Sequence, residues 1–243
     1  MQMDRIVVVL VAGALVLAAC SGTEDAATET EPTATTVTTV PLAAVPSDYV
    51  GYLHQPTACG AERPQPAVDM KFETPGDAGI TRLTHLTLNT SCGPIEIELD
   101  YDTAPEAVNS FVFLAESGYF DGTVSHRIIP GFMMQAGDPT ATGRGDPGYV
   151  LPDEFPVEGT TYVRGAVAMA NAGPGTTGSQ FFIMFSDADW LPPQFTIIGQ
   201  VVSGLDTLDR IAEIPLGRGA NSADPNPSTP LESLYIESVS VQR

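Results

Sequence analysis

Charged and amide side chains recur inside apolar runs of this sequence, and those are the places where chemistry could be done. The first run is His126–Pro139, HRIIPGFMMQAGDP. Ile128 and Ile129 read as the end of a buried strand and Pro130-Gly131 as a turn. Phe132, Met133, Met134 and Gln135 read as a strand that resumes with apolar side chains on both faces. Arg127 puts a permanent cation into this run. Arginine is almost never fully buried without a partner, so Arg127 is either a salt-bridged structural residue or a cation held for a purpose. The second run is Gly165–Phe185, GAVAMANAGPGTTGSQFFIMF, followed by Asp189, Trp190 and Leu191. It sets the amides of Asn171 and Gln180 among small and aromatic residues. These amides either line a site or satisfy loop backbone, and Met133 and Phe182 are either site walls or core. Strand alternation sends Met134 inward and Met133 to the opposite face.

Other residue types offer less. His126 has the chemistry of a general base but reads better as a structural histidine beside the arginine. Ser179, in Gly178-Ser179-Gln180, lacks the glycine spacing of a hydrolase nucleophile elbow. Gly173–Gly178 is a turn-rich loop that fits no phosphate-binding template. Cys59, Cys92 and the scattered His54, His85 and His126 have no ligand spacing, so neither a metal site nor a cofactor is expected.

The elements that must position these residues are legible from Arg82 onward. Leu83–Asn89 and Ile95–Leu99 alternate around Ser91-Cys92-Gly93, which predicts a hairpin with one buried face. Thr103 is the predicted cap of a helix with Pro105 and Glu106 in its first turn. Val108, Phe111, Val112 and Ala115 recur at helical spacing until Gly118 stops it. Thr140–Phe155 is a Gly/Pro-rich loop, long enough to suggest a functional role. Strands are predicted at Ala166–Ala170, Phe181–Phe185, Thr196–Val202 and Leu234–Val241, with a second helix over about Leu205–Glu213. Many short strands with turns between them and only two helices suggest a closed antiparallel barrel.

The chain divides into a leader and stalk, an arm, and the domain. An apolar run, Ile6–Ala19, ends in Leu17-Ala18-Ala19-Cys20, which resembles the lipobox of bacterial lipoproteins. Residues 1–19 are thus expected to be a signal peptide and Cys20 the lipidated first residue of the mature chain. Two or more acyl chains suffice for stable anchoring, so the protein is expected on the outer face of the cell membrane, tethered without spanning it. The rest of the tract to Pro46, rich in Thr, Ala, Pro and Glu, cannot bury enough apolar surface to order itself and reads as a disordered stalk. Residues 47–81 carry Pro56, Pro64, Pro66 and Pro75 and are expected to form an extended arm on the main domain, residues 82–243. With Cys20 taken by lipid, Cys59 and Cys92 remain as an even pair in an oxidising compartment, and a disulfide is the economical reading. The charge balance, 30 acidic against 10 basic residues, argues against nucleic-acid binding, which needs clustered cations.

Separated motifs agree in order from about Leu83 to the end: FDGTVSHRIIPGFMMQAGDP, Thr142-Gly143, MANAGPGTTGSQFFI and Trp190-Leu191. Together they closely resemble the cyclophilin family of peptidyl-prolyl cis-trans isomerases. The resemblance implies an eight-stranded antiparallel barrel, closed and capped by two helices, in a monomeric enzyme acting on proline-containing polypeptides. It implies that Arg127 is catalytic. It also implies that Phe132, Met133, Phe182 and Leu191 wall the proline pocket, and that Gln135, Ala170, Asn171, Ala172 and Gln180 hold the peptide backbone. Trp190 matches the rim tryptophan, which implies cyclosporin binding. The sequence departs from many eukaryotic members at Phe195, where they often carry His, and at Ser125, where an aromatic residue is usual. The expected function is isomerisation that assists folding of exported proteins; the alternative is a scaffold that binds proline peptides without catalysis.

Overall fold

The computed structural model describes residues 44–220 and 222–242. The expected leader, Cys20 and the stalk up to residue 43 lie outside the described residues. At the start of the described residues the chain is already packed: the Ala44 carbonyl accepts from Gln55 Nε2 at 2.7 Å, and Pro46 is buried. The arm forms one helical turn, α1 (Tyr49–Tyr52), capped by the carboxylate of Asp48, and a single 3-10 turn at Ala58–Gly60. That second turn carries Cys59, joined to Cys92 by a disulfide across a Cα separation of 5.1 Å. Closing a 33-residue separation restricts the unfolded chain and contributes roughly 3 to 4 kcal/mol on the chain-entropy account.

The hairpin β1 (Thr84–Thr90) and β2 (Gly93–Leu99) turns at Ser91-Cys92, with Gly93 at φ 123° where an L side chain would be strained. Next come α2 (Pro105–Glu116), β3 (Arg127–Ile129), β4 (Met133–Ala136), β5 (Ala166–Met169), β6 (Phe181–Met184), β7 (Ile197–Ser203) and α3 (Leu205–Ala212). The chain closes with the two-residue strands β8 (Leu216–Gly217) and β9 (Thr229–Pro230), which the sequence does not signal, and then β10 (Ile236–Gln242). All ladders are antiparallel, in the order β10-β1-β2-β7-β5-β6-β4-β3.

Two expectations are corrected here. The eight strands form a curled sheet rather than a closed barrel, because no ladder joins β3 to β10. β3 is only three residues long, and its free edge meets the segment around Ser228, which holds Pro225, Pro227 and, in β9, Pro230, none of which has an N–H to donate. The seam is held instead by single contacts: Ile128 N–H to the Ser228 carbonyl at 2.8 Å, Ser125 N–H to the Leu234 carbonyl at 2.9 Å, and a bridge between Val124 and Tyr235. Thr103 does not cap α2 either; its hydroxyl donates to Asp100. The helix N-terminus is capped from a distance by Glu154, whose two carboxylate oxygens accept from Glu106 N at 3.0 Å and Ala107 N at 2.9 Å. A carboxylate there both satisfies orphan donors and complements the helix dipole.

The central strands are buried on both faces, and this builds the site. Along β4, β5 and β6, Met134, Ala136, Val167, Met169, Phe181 and Ile183 belong to the main core with α2 and α3. Their alternates Met133, Ala166, Ala168, Phe182 and Met184 belong to a second cluster with Leu191 and Phe195. Phe111 of α2 meets Phe181 edge-on at 5.1 Å, which fixes the inner face of β6 and thereby the outward aim of Phe182.

Glu154→Ala is expected to lower unfolding free energy by about 1 to 2 kcal/mol, since two N–H groups of α2 lose their partner. Urea denaturation measures this, and wild-type stability would show that the remote cap is idle.

Candidate active site

Arg127 begins β3, paired across the ladder with Gln135 of β4, so both side chains emerge on the same face. The guanidinium is held on two sides. Nε and Nη2 donate to the two carboxylate oxygens of Asp224 at 2.8 and 2.5 Å, and Nη1 donates to Gln135 Oε1 at 3.1 Å. These bonds use three of the five N–H donors of a guanidinium and leave one on each terminal nitrogen without a partner among the described residues. The rigid fork therefore presents an open edge while its plane is fixed. Gln135 passes the restraint on: its Nε2 donates to Gln180 Oε1 at 2.9 Å, and Gln180 Nε2 donates to the Gly145 carbonyl at 3.0 Å.

Asp224 is the member of this set that the sequence did not reveal. It lies 97 positions from Arg127 in a Pro-rich loop with no periodicity to read. Its side chain is 13% exposed against 36% for Arg127. The hydrogen bond from Arg127 holds its carboxyl below the ordinary aspartate range, against the opposing effect of burial. Arg218 clamps the loop by donating to the carbonyls of Asp224 and Pro225 at 2.9 and 2.6 Å.

Beside Arg127 lies the apolar cluster on the outer face of the sheet. Met133, Phe182 and Leu191 form its buried part, with Phe132 and Phe195 partly buried against it. Phe182 and Phe195 pack edge-on at 5.5 Å. Phe195 is in turn pinned by Tyr162, whose hydroxyl donates to the Phe195 carbonyl at 2.8 Å and accepts from its N–H at 3.1 Å. A lone tyrosine between Thr161 and Val163 carried no sequence signal for that role. Trp190 is 64% exposed and lies on Phe132 with ring centroids 4.9 Å apart, so its indole stands at the rim.

Ala170, Asn171, Ala172 and Gln180 form one edge. Ala170 N–H donates to the Gln180 carbonyl at 2.8 Å, and Ala172 N–H to Thr176 Oγ1 at 2.8 Å. The Asn171 side chain is consumed in loop bonds to Gln194 and Gly173, whereas its backbone N–H and carbonyl have no partner among the described residues. A peptide strand meeting this edge would find an open donor and acceptor there, in reach of antiparallel-type pairing.

The loop after β4 is ordered by a buried carboxylate. Asp138 is fully buried and accepts from the backbone N–H groups of Thr140, Thr142, Arg144 and Gly145 at 2.7 to 3.1 Å. A Cβ on Gly145 would stand 1.9 Å from Asp138 Oδ1, so glycine is required for this approach. Burial raises the Asp138 pKa, but these hydrogen bonds and nearby His126 outweigh it and leave the value lowered. His126 shows the opposite case. Its Nδ1 is buried without a partner, and desolvation pulls its pKa down to about 4, with Arg127 adding to the shift and Asp138 opposing it. The imidazole is therefore neutral at neutral pH. Ser179 is buried and donates to the Gly137 carbonyl at 2.7 Å.

These shifts set a pH dependence. Between about 6.5 and 4 the unfolded chain binds a proton at His126 that the folded chain does not, so stability is expected to fall as pH falls through that window. Asp138 adds a second loss as pH drops further through its depressed value. Thermal midpoints across this range should show the first loss flattened in His126→Gln; an unchanged slope would remove His126 from the account.

Comparison with known proteins bears on this geometry. Residues 85–241 match the family model described as cyclophilin type peptidyl-prolyl cis-trans isomerase/CLD. Peptidyl-prolyl cis-trans isomerase B of Streptomyces anulatus is 43% identical over 175 residues, 65% of this chain and 96% of that protein. Human peptidyl-prolyl cis-trans isomerase-like 3 is 38% identical over 159 residues, 64% of this chain and 94% of that protein. The chain spans only 27% of the Cryptococcus neoformans peptidyl-prolyl cis-trans isomerase-like 2, at 40% identity. A crystal structure of a Cryptosporidium parvum cyclophilin type isomerase in the presence of the dipeptide ala-pro superposes with a TM-score of 0.58 at 32% identity, covering 65% of this chain and 99% of that one. The family model matches well over half of the chain, and the match to several named isomerases runs over nearly their whole length, so the chain belongs to the cyclophilin-type peptidyl-prolyl cis-trans isomerase family.

Proposed function

We propose that this chain isomerises X-Pro bonds in exported polypeptides, from a lipid anchor at Cys20 on the outer face of the cell membrane. The observation that carries the catalytic part is the open edge of the Arg127 guanidinium beside the apolar cluster of Phe132, Met133, Phe182, Leu191 and Phe195. Rotation about an X-Pro bond crosses a barrier of about 18 to 20 kcal/mol because amide resonance is lost. In the twisted state the proline nitrogen becomes pyramidal and gains a lone pair. An N–H of Arg127 donates to that lone pair, which the planar ground state does not offer, so the contact favours the transition state selectively. The apolar socket grips the ring and excludes water, whose hydrogen bonds to the carbonyl favour the charge-separated planar amide.

Within this reading, Asp224 and Gln135 are positioning residues. They hold the guanidinium plane before substrate arrives, so that no reorientation is needed in the twisted state. Phe195 serves as apolar wall, and no titratable group is required at that position. Asn171, with Ala170, Ala172 and Gln180 around it, takes the peptide backbone. The indole N–H of Trp190 suits a carbonyl of an apolar cyclic peptide such as cyclosporin. The lipobox-like Leu17–Cys20 supports the anchor, and the net charge of −20 supports a soluble, monomeric domain at the end of its tether.

Isomerisation assayed by protease-coupled kinetics is expected to fall about a hundredfold or more in Arg127→Ala. Arg127→Lys should also be poor, because an ammonium cannot form the fork. Asp224→Asn should lose roughly tenfold in kcat with KM and thermal midpoint little changed. Trp190→Phe should weaken cyclosporin inhibition far more than turnover. Wild-type turnover in Arg127→Ala would sink the mechanism, and equal inhibition of wild type and Trp190→Phe would remove cyclosporin from the reading.

Cys20→Ala is expected to release the protein from the membrane fraction or to leave it unprocessed, with the domain still active. Unchanged fractionation and lipid labelling would overturn the anchor.

A further inference from the structure

Beside Arg127 the site opens into a cavity of about 680 Å3. Its walls come from three parts of the chain: Pro46 to Asp48 of the arm, Thr142 to Arg144 of the loop that Asp138 orders, and Gly219, Ala220 and Ser222 to Asp224 of the loop that carries the partner of Arg127. Arg127 and Gln135 form its boundary with the site described above. Two of these walls lie inside the family-matched span, residues 85–241, and the arm wall lies outside it.

The arm wall is fixed. Tyr49 N–H donates to the Thr140 carbonyl at 2.8 Å, and the buried Tyr52 donates to the carbonyl of His126 at 3.2 Å. Ser233 Oγ returns a bond to the Tyr52 carbonyl at 2.7 Å, Ala58 N–H reaches the Ser233 carbonyl at 3.0 Å, and the Cys59–Cys92 disulfide ties the far end. The arm therefore adds a standing wall next to the arginine rather than a loose tail. The cavity's volume falls in the range of ligand-binding clefts. Its character differs from the apolar proline pocket: Ser47, Asp48, Thr142, Arg144 and Ser222 line it, with small residues such as Ala141 and Ala220 between them.

The geometry points to an arm-built subsite that takes the polar flank of an extended polypeptide whose proline sits in the apolar pocket. This inference rests on the isomerase reading and deepens it. The cavity shares Gln135, Gly143 and Arg144 with the pocket at the Asn171 edge, so a chain held at that edge and reaching Arg127 meets it, and its flanking side chains find hydrogen-bonding walls there. Short proline peptides would fill the pocket and miss the subsite. The protein is then built for unfolded segments rather than isolated X-Pro units, and the arm is part of its substrate recognition.

The test compares two substrates on the full chain by exchange NMR of the peptide: an Ala-Pro tetrapeptide and a longer peptide with polar flanks on both sides of the same Ala-Pro. The wild type should turn over the longer peptide with a KM roughly tenfold lower, since added contacts made equally in ground and transition state act on KM. Two filling variants, Ser47→Trp on the arm wall and Ala220→Trp on the opposite wall, both at exposed positions, should abolish that advantage while leaving tetrapeptide turnover unchanged. Equal KM for the two peptides in the wild type, or an advantage that survives both variants, would overturn the subsite. Absence of tetrapeptide turnover in the wild type would instead sink the isomerase reading. Chemical-shift changes at the Ser47 and Asp48 amides on adding the longer peptide would then still report whether the cavity is occupied.

Discussion

Everything at the site depends on keeping one guanidinium charged, oriented and incompletely satisfied. A cation at the edge of a sheet and beside an apolar cluster must be partnered, or its desolvation would be too costly. If all five of its donors were partnered, it would have nothing to offer a substrate. The structure meets both demands with Asp224 and Gln135, which take three donors and fix the plane. The Pro-rich loop after α3, the Arg218 clamp and the chain of amides from Gln135 to Gln180 and Gly145 all serve that balance. Part of the cost is visible in the sheet: the loop that delivers Asp224 occupies the edge where β3 would otherwise meet β10, and the barrel stays open.

The pocket beside the arginine is a consequence of a sheet buried on both faces. Where one face of a strand packs on a core and the other on solvent, alternation reads clearly, as in β1 and β2. Along β5 and β6 every residue is buried, so periodicity disappears from the sequence even though alternation persists in space. Inward residues hold α2 and α3, and outward residues become the walls of the apolar pocket. Changing the register of β6 by one residue would exchange core and pocket. This explains why the aromatic pair Phe181-Phe182 does two unrelated jobs at adjacent positions.

The two buried ionisable groups near the arginine are handled in opposite ways. Asp138 keeps its charge because the loop bends around it and aims backbone N–H groups at it. His126 loses its charge because its buried nitrogen has no partner and Arg127 stands next to it. A neutral His126 spares the Arg127 cation a second like charge, and an ionised Asp138 keeps rigid the loop that forms part of both the amide network and the cavity wall. Stability and site geometry are therefore linked through one short stretch of chain.

The sequence by itself determined the elements and pointed to many of the side chains that the fold gathers around Arg127. Local signals placed the first hairpin, both longer helices, the turn at Pro130-Gly131 and the strands of the eight-stranded sheet to within a residue or two, because each depends on residues near in the chain. The motifs around Arg127, Gln180 and Trp190 carried the family resemblance for the same reason. Tertiary structure alone decided what long-range partners do. Glu154 replaces Thr103 as the cap of α2, Tyr162 pins Phe195, Asp224 orients Arg127, and Pro46 to Asp48 and Tyr52 of the arm wall a cavity beside it. None of these residues has a distinctive type or spacing. Each acquires its role only when the curling of the sheet brings distant segments within hydrogen-bonding reach, and an interaction of that range leaves no period for a single sequence to show.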